Sequence, residues 1–277
     1  MPEAAVGAGK SVAQALSDAG TMLSTAGCDT PRLDAELLLA SVLDVGRERL
    51  VIDAAVELDA PDLERFEALV ARREAREPVA YILGHKAFRR ITLSVDRRVL
   101  IPRPETELLV EIGLTLDHGA RIADVGTGSG AVALALKDER PDLEVIGIDV
   151  SADALSVARE NGARLGLDVE FVCADLLDGV PGPFDAVVGN LPYVAEGSAL
   201  PPEIEVYEPP VALFGGEDGL DLTRRLITTV ADAGVPLVAL EVGLAEAVAG
   251  IALRAGYSSV QILRDLAGHE RVVLARR

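Results

Sequence analysis

The sequence predicts a doubly wound α/β domain preceded by a small helical domain, with a β-hairpin between the two. Three observations carry this. From residue 121 onward, short runs of β-branched and aliphatic residues alternate with segments of helical periodicity, the pattern of a parallel sheet with crossover helices. A glycine-rich run, Asp124-Val125-Gly126-Thr127-Gly128-Ser129-Gly130, sits where the first of those strands gives way to the first helix. Residues 10–77, by contrast, place apolar side chains three to four apart and show no strand-like alternation.

The elements follow in order. Thr30-Pro31 and Asp59-Ala60-Pro61 are helix starts with proline in the first turn, and Gly27 and Gly46 punctuate the helices around them. Residues 1–85 are therefore expected to form a helical bundle, read here as a substrate-recognition domain. Two short β-type runs, Ile91-Thr92-Leu93 and Val99-Leu100-Ile101, are separated by residues 94–98 and predict a hairpin linker over residues 86–103. The α/β domain then occupies residues 104–277. Its strands are expected at 121–125, 145–149, 169–173, 186–189, 237–242, 260–263 and 272–274. Helices are expected at 129–139, 152–165, about 221–233 and 245–255, with an irregular stretch from 190 to about 221. Ligands of such a domain sit outside the carboxyl ends of its strands.

Composition limits the function classes. A chain of 277 residues, 49% hydrophobic and 26% charged, can bury a full core without disulfides or metal, and with 3% aromatic residues and no Trp that core is aliphatic. Cys28 and Cys173 stand alone, and His85, His118 and His269 are scattered, so neither a disulfide framework nor a metal site is expected. Residues 1–20 lack a basic start followed by an apolar stretch, and no segment runs about 18 apolar residues without a charge. A soluble, cytoplasmic protein without a membrane segment is the expectation. The net charge of −19 argues against direct, phosphate-driven nucleic-acid binding and favours a protein or small-molecule substrate. Arg72, Arg73 and Arg76, with Arg89, Arg90, Arg97 and Arg98, are the places where a local positive patch or an ordinary solvated surface could lie.

The run from Asp124 to Gly130 lets the backbone turn tightly and approach a ligand, with free N–H groups expected at the helix start. With Ala131 it also satisfies the relaxed dinucleotide pattern, since Asp149 lies about twenty residues on, where a ribose-binding acid belongs. Asp149 ends the second strand and can accept from both ribose hydroxyls; Asp175 and Leu176, after the third, could grip an adenine. An adenosyl ligand fits both positions. Asp153 and Asp178 read as helix N-caps.

Asn190-Leu191-Pro192-Tyr193 follows the fourth strand. An amide or aromatic amino nitrogen has a delocalised lone pair and attacks a methyl sulfonium well only when held in line. The Asn190 side-chain oxygen and the Leu191 carbonyl could accept both N–H bonds of such a group, with Pro192 keeping Leu191 extended and Tyr193 packing over the reacting centre. The acids Glu203, Glu205 and Glu208 read as a solvated loop or as a contact to a basic substrate protein.

These motifs together resemble the Rossmann-like, class I S-adenosylmethionine-dependent methyltransferases that act on amide or exocyclic nitrogens. Further segments resemble the release-factor glutamine methyltransferase family, known as PrmC or HemK: Glu77-Pro78-Val79-Ala80-Tyr81-Ile82-Leu83-Gly84, Val99-Leu100-Ile101-Pro102-Arg103-Pro104-Glu105-Thr106-Glu107, Tyr207-Glu208-Pro209, and Gly215-Gly216-Glu217-Asp218-Gly219-Leu220. The resemblance implies methylation of the glutamine N5 amide in the Gly-Gly-Gln motif of class 1 peptide chain release factors, with S-adenosylmethionine converted to S-adenosylhomocysteine and no metal. It places Asp124, Gly126, Thr127, Gly128, Ser129, Gly130, Asp149, Asp175, Leu176 and Asn190 at the cofactor. Asn190, Leu191, Pro192 and Tyr193 fall at the catalytic and substrate-amide site, with Arg103 and Glu105 beside it. The family normally reads Asn-Pro-Pro-Tyr; Leu191 departs from it toward the rRNA adenine dimethyltransferases and removes one proline from the site entrance. A ribosomal-protein glutamine or rRNA adenine N-methyltransferase, a dinucleotide-dependent oxidoreductase and an inactive cofactor-binding adaptor are the alternatives.

Overall fold

A computed structural model describes residues 9–277; the first eight residues lie outside the described residues. The chain divides into two compact units, the first ending at Gly84 and the second running from His85 to Arg277.

The first unit is helical: α1 (Val12–Thr25), α2 (Pro31–Leu43), α3 (Arg47–Ile52), α4 (Ala60–Glu74) and α5 (Val79–Leu83). A reciprocal capping box opens α1, the Gln14 amide donating to Ser11 Oγ at 3.3 Å and the Ser11 amide donating to Gln14 Oε1 at 3.0 Å. Asp59 caps α4 by accepting from the Asp62 amide at 2.8 Å. Leu23, Leu38, Leu39, Phe66 and Val70 form its core, and inside it Arg73 donates to Asp34 at 2.7 Å, an ion pair shielded from water on both sides.

The second unit opens with a hairpin of β1 (His85–Phe88) and β2 (Ile91–Ser94). A 3-10 turn (Pro104–Thr106) follows, then α6 (Glu107–Gly113), β3 (Arg121–Val125), α7 (Ala131–Glu139), β4 (Glu144–Asp149), α8 (Ala152–Leu165), β5 (Glu170–Cys173) and β6 (Ala186–Asn190). After α9 (Pro202–Glu205) come α10 (Asp221–Asp232), β7 (Leu237–Glu241), α11 (Ala245–Arg254), β8 (Ser259–Arg264) and β9 (Glu270–Arg276). The sheet order is β5-β4-β3-β6-β7-β9-β8, parallel through β7, with β9 antiparallel to both β7 and β8. Strands covered on both faces explain the continuous aliphatic runs: every residue of β7 is buried, as are Ile122, Ala123, Val187 and Val188.

The hairpin differs from the expected one. Its strands are joined by Arg89-Arg90, and Val99 and Ile101 are buried as irregular chain rather than paired. The turn carries no glycine or asparagine signal because Arg89 itself takes the left-handed conformation, φ 50°. Its guanidinium is tied to Glu139 at 2.5 and 2.9 Å and its amide to Glu107 at 3.1 Å, contacts that offset the strain. The hairpin packs inside the second unit, where Asn161 of α8 accepts from the Ser94 amide and donates to the Ser94 carbonyl. The N-cap of α8 is Ser151, accepting from the Ala154 amide, with Asp153 in the first turn; no helix starts at Asp178.

Strand order reverses between β3 and β6, the neighbours at the centre of the sheet. Their carboxyl ends, with those of β4 and β7, therefore converge at the crevice where doubly wound sheets take ligands.

Candidate active site

Outside those strand ends lies a cavity of about 370 Å³, within the usual range of small-molecule sites. It is bordered by Asp124, Gly126, Thr127, Gly128, Ser129, Asp149, Asp175, Leu176, Asn190, Leu191, Pro192 and Arg103; Gly130, Tyr193 and Glu105 do not line it.

The glycine turn is held from within. The Gly126 and Thr127 amides both donate to the Ile148 carbonyl at 2.8 and 2.9 Å, and the Gly130 amide donates to the Thr127 carbonyl at 2.8 Å. The Gly128 amide donates to Asp149 Oδ2 at 2.9 Å. These four amides brace the turn, whereas at the helix start the Ala131 and Val132 amides, beside the cavity, have no hydrogen-bond partner among the described residues. Gly126 is favoured chiefly by conformation, φ +75°, and a Cβ there would also crowd the Asn190 carbonyl oxygen at 3.3 Å. Below the turn, Asp124 accepts from the Thr127 hydroxyl at 2.7 Å and the Ala133 amide at 3.2 Å, and burial pushes its carboxyl up to about 7. A brace that sequence reading missed is Asn161, fully buried, which donates to the Ser129 carbonyl at 3.0 Å. Its signal was an amide in register with the buried face of α8, Ala154, Val157 and Ala158.

Asp149 presents a carboxylate at the cavity wall. Each oxygen accepts one backbone amide, Oδ2 from Gly128 and Oδ1 from Ser151, both at 2.9 Å, so each retains lone pairs for a vicinal diol. Burial raises this carboxyl above the ordinary range. Asp175 is instead drawn to Arg225 at 2.8 Å, an exposed pair at the rim, while Leu176 beside it is buried and apolar.

At the end of β6, Asn190 lies in register with Glu241 on β7. Asn190 Nδ2 donates to Thr106 Oγ1 at 3.2 Å, and the Thr106 hydroxyl donates to Glu241 Oε2 at 2.6 Å. Among the described residues no donor reaches Asn190 Oδ1 or the Leu191 carbonyl. Leu191 is buried in the sheet's core and lies over Gly126, so its side chain replaces by packing some of the rigidity a proline would give. Tyr193 packs against Gly243, and burial raises its phenol pKa.

Arg103 and Glu105 lie on one turn but point to different partners. Arg103 donates to both oxygens of Glu208 at 2.7 and 2.9 Å; Glu105 faces Arg271 at 4.0 Å. Glu208 is therefore no solvated loop acid: it is buried and neutralised, clamping the 207–209 segment to the 102–106 segment. Thr106 and Glu241, not singled out in the sequence, complete the site. Glu241 had a legible signal, a lone acid ending an otherwise aliphatic strand. No group of histidine, cysteine and acidic residues with metal-binding geometry occurs among the described residues.

Comparison with known proteins bears on this site. The family model of the PrmC N-terminal domain matches residues 14–84, and that of the methyltransferase small domain matches residues 104–204. The chain is 42% identical over 265 residues to the release factor glutamine methyltransferase of Rhodospirillum rubrum, covering 92% of this chain and 82% of that one. It is 41% identical over 272 residues to the corresponding protein of Deinococcus radiodurans, covering 95% and 97%. A crystal structure of a methyltransferase from Pyrococcus furiosus has the same fold, with a TM-score of 0.53 at 20% identity over 76% of this chain and 96% of that one. A Rossmann-like methyltransferase domain preceded by this helical domain places the chain in the release factor glutamine methyltransferase family.

Proposed function

We propose that this protein methylates the side-chain amide nitrogen of the glutamine in the Gly-Gly-Gln motif of class 1 peptide chain release factors, using S-adenosylmethionine. The observation that carries the reading is the pair of unpartnered acceptors, Asn190 Oδ1 and the Leu191 carbonyl, beside a braced glycine turn at the strand-order reversal. A primary amide offers two N–H bonds, and two fixed acceptors match it.

The residues fit the methyl donor. Asp149 holds the ribose hydroxyls, Leu176 and the apolar wall beside it take the adenine, and Gly126 and Gly128 let the backbone lie against the remainder. When bound, S-adenosylmethionine supplies an electrophilic methyl group on a sulfonium; the methylated nitrogen, positively charged, is acidic enough to release one N–H proton to water, so the protein needs no strong base. A dinucleotide is a poorer match, because it would leave the acceptors at Asn190 and Leu191 without a purpose.

The protein's own work is orientation. Asn190 Oδ1 and the Leu191 carbonyl accept the two substrate N–H bonds and hold the nitrogen lone pair in line. Pro192 keeps Leu191 extended. As positive charge grows on nitrogen, both oxygens stabilise it, while Tyr193, outside the cavity against Gly243, steadies the segment that carries them. Arg103 forms part of the wall the substrate loop passes, with Glu105 outside it facing Arg271, and the helical unit contributes to holding the release factor. The protein acts in the cytoplasm, where that substrate is.

The test is transfer of a labelled methyl group from S-adenosylmethionine to an unmodified release factor and to the same factor with its Gly-Gly-Gln glutamine changed to alanine. Label on the first and none on the second is expected. Equal label on both would reject the substrate assignment.

A further inference from the structure

Asn190 can serve as an acceptor in one orientation only. A primary amide turned by 180° exchanges its oxygen and its NH₂ at almost no cost in shape, so the direction must be set by a neighbour. The neighbour is Thr106, whose Oγ1 lies 3.2 Å from Asn190 Nδ2. A threonine hydroxyl has one proton, and here it is committed to Glu241 Oε2 at 2.6 Å, since an ionised carboxylate can only accept. What remains facing Asn190 is a lone pair, against which only NH₂ fits.

We propose that Thr106 and Glu241 are positioning residues that fix the side-chain amide of Asn190 with Oδ1 toward the substrate nitrogen, acting together as a one-way hydrogen-bond relay. The inference rests on Asn190 accepting the substrate amide as described above. Its three members come from the 3-10 turn, the end of β6 and the end of β7. Thr106 and Glu241 are 5% and 2% exposed, so water does not compete for either bond.

The relay has a built-in reversal. Facing Glu241 are Thr106 and Glu105 on the turn, Arg103 before it, Arg271 on β9 and Tyr193 after β6. None of them bonds Glu241 Oε1, a buried oxygen without a partner. Burial, reinforced by Glu105, pushes this carboxyl up to about 7. A proton placed on Glu241 lets it donate to Thr106, which frees the threonine proton to meet Asn190 Oδ1 and turns the amide the wrong way. Methyl transfer therefore weakens on acidification through neutral pH.

The experiment compares Thr106→Val, Thr106→Ser, Glu241→Gln and Asn190→Ala in steady-state methylation of a release factor from pH 6 to 8.5, with S-adenosylmethionine affinity measured separately. Thr106→Val keeps the shape but loses the hydroxyl. It is expected to lower kcat about tenfold or more with S-adenosylmethionine affinity unchanged, while Thr106→Ser stays within about threefold of wild type. Glu241→Gln cannot titrate and is expected to lose the acid limb of the kcat profile. If Thr106→Val does not fold, the Thr106→Ser and Glu241→Gln profiles decide alone. A Thr106→Val kcat equal to wild type, or an acid limb persisting in Glu241→Gln, overturns the relay provided Asn190→Ala is inactive. An active Asn190→Ala instead overturns the acceptor role on which the relay depends.

Discussion

Asp149 makes the strongest claim of any single residue at the cofactor, because its two oxygens are held by separate backbone amides and cannot swing away. On the proposed reading Asp149→Ala removes two charge-assisted hydrogen bonds to ribose, which should weaken S-adenosylmethionine binding about 100-fold by calorimetry. An unchanged affinity would remove Asp149 from the site. The buried acids make a second claim. Asp124 and Glu241 both stand near 7, raised by burial, and Asp149 and Glu208 are raised in the same way. A carboxyl whose folded pKa exceeds its unfolded one holds a proton that the unfolded chain releases, so stability falls as pH rises from about 4 to 7 and then levels. Carboxylates lowered by arginine, such as Glu139 and Asp96, act below that window. Denaturant midpoints should therefore be higher at pH 5.5 than at 7.5, with a smaller difference in Glu241→Gln; a midpoint rising with pH would contradict this. At this scale the sequence showed which groups could bind, since Asp149 and Asn190 end strands. It did not show Arg225 capturing Asp175 or Arg103 burying Glu208, because partners 50 and 105 residues apart leave no local trace.

Among the elements, the stretch between β6 and α10 has most influence on the site and least regular structure. It returns the 213–219 loop against residues 192–194: the Val194 amide donates to the Leu213 carbonyl and the Gly215 amide to the Val194 carbonyl, both at 2.9 Å. Gly219 has φ +76°, and a Cβ there would lie 2.3 Å from the Tyr193 carbonyl oxygen. Gly219→Ala must push the 190–193 segment away, and a displacement near 1 Å should cost about 100-fold in kcat with S-adenosylmethionine binding kept. Wild-type kcat in that variant would show that the loop does not set the geometry. Periodicity revealed the strands and long helices here because burial on one or both faces writes itself into composition. The helix α6 and the β1–β2 turn escaped it: one is two turns long, and the other is made by an arginine whose left-handed backbone is secured by Glu139 and Glu107 from distant helices.

Over the whole molecule, the alternation of strand and helix dictated the parallel sheet, and the sheet's order reversal dictated where chemistry could be built. The arginine groups that suggested a basic patch are engaged: Arg72 with Glu77, Arg89 with Glu139, Arg98 with Asp96 and Glu160, and Arg97 over the Tyr207 ring at 4.5 Å. No helix among the described residues is long and apolar enough to cross a membrane. Each unit has its own aliphatic core. What the glycine turn alone left open was whether it served a dinucleotide or an adenosyl methyl donor, and the unpartnered acceptors at Asn190 and Leu191 beside it are the physical reason to favour the second.

The central claim is that Asn190 and Leu191 hold a glutamine amide in line for methylation. Tandem mass spectrometry of an unmodified class 1 release factor, incubated with S-adenosylmethionine and either the wild-type protein or Asn190→Ala, tests it most directly. One added methyl group on the Gly-Gly-Gln glutamine with wild type and none with Asn190→Ala is the predicted result. Methylation of that glutamine by both proteins, or of another residue by either, would contradict it.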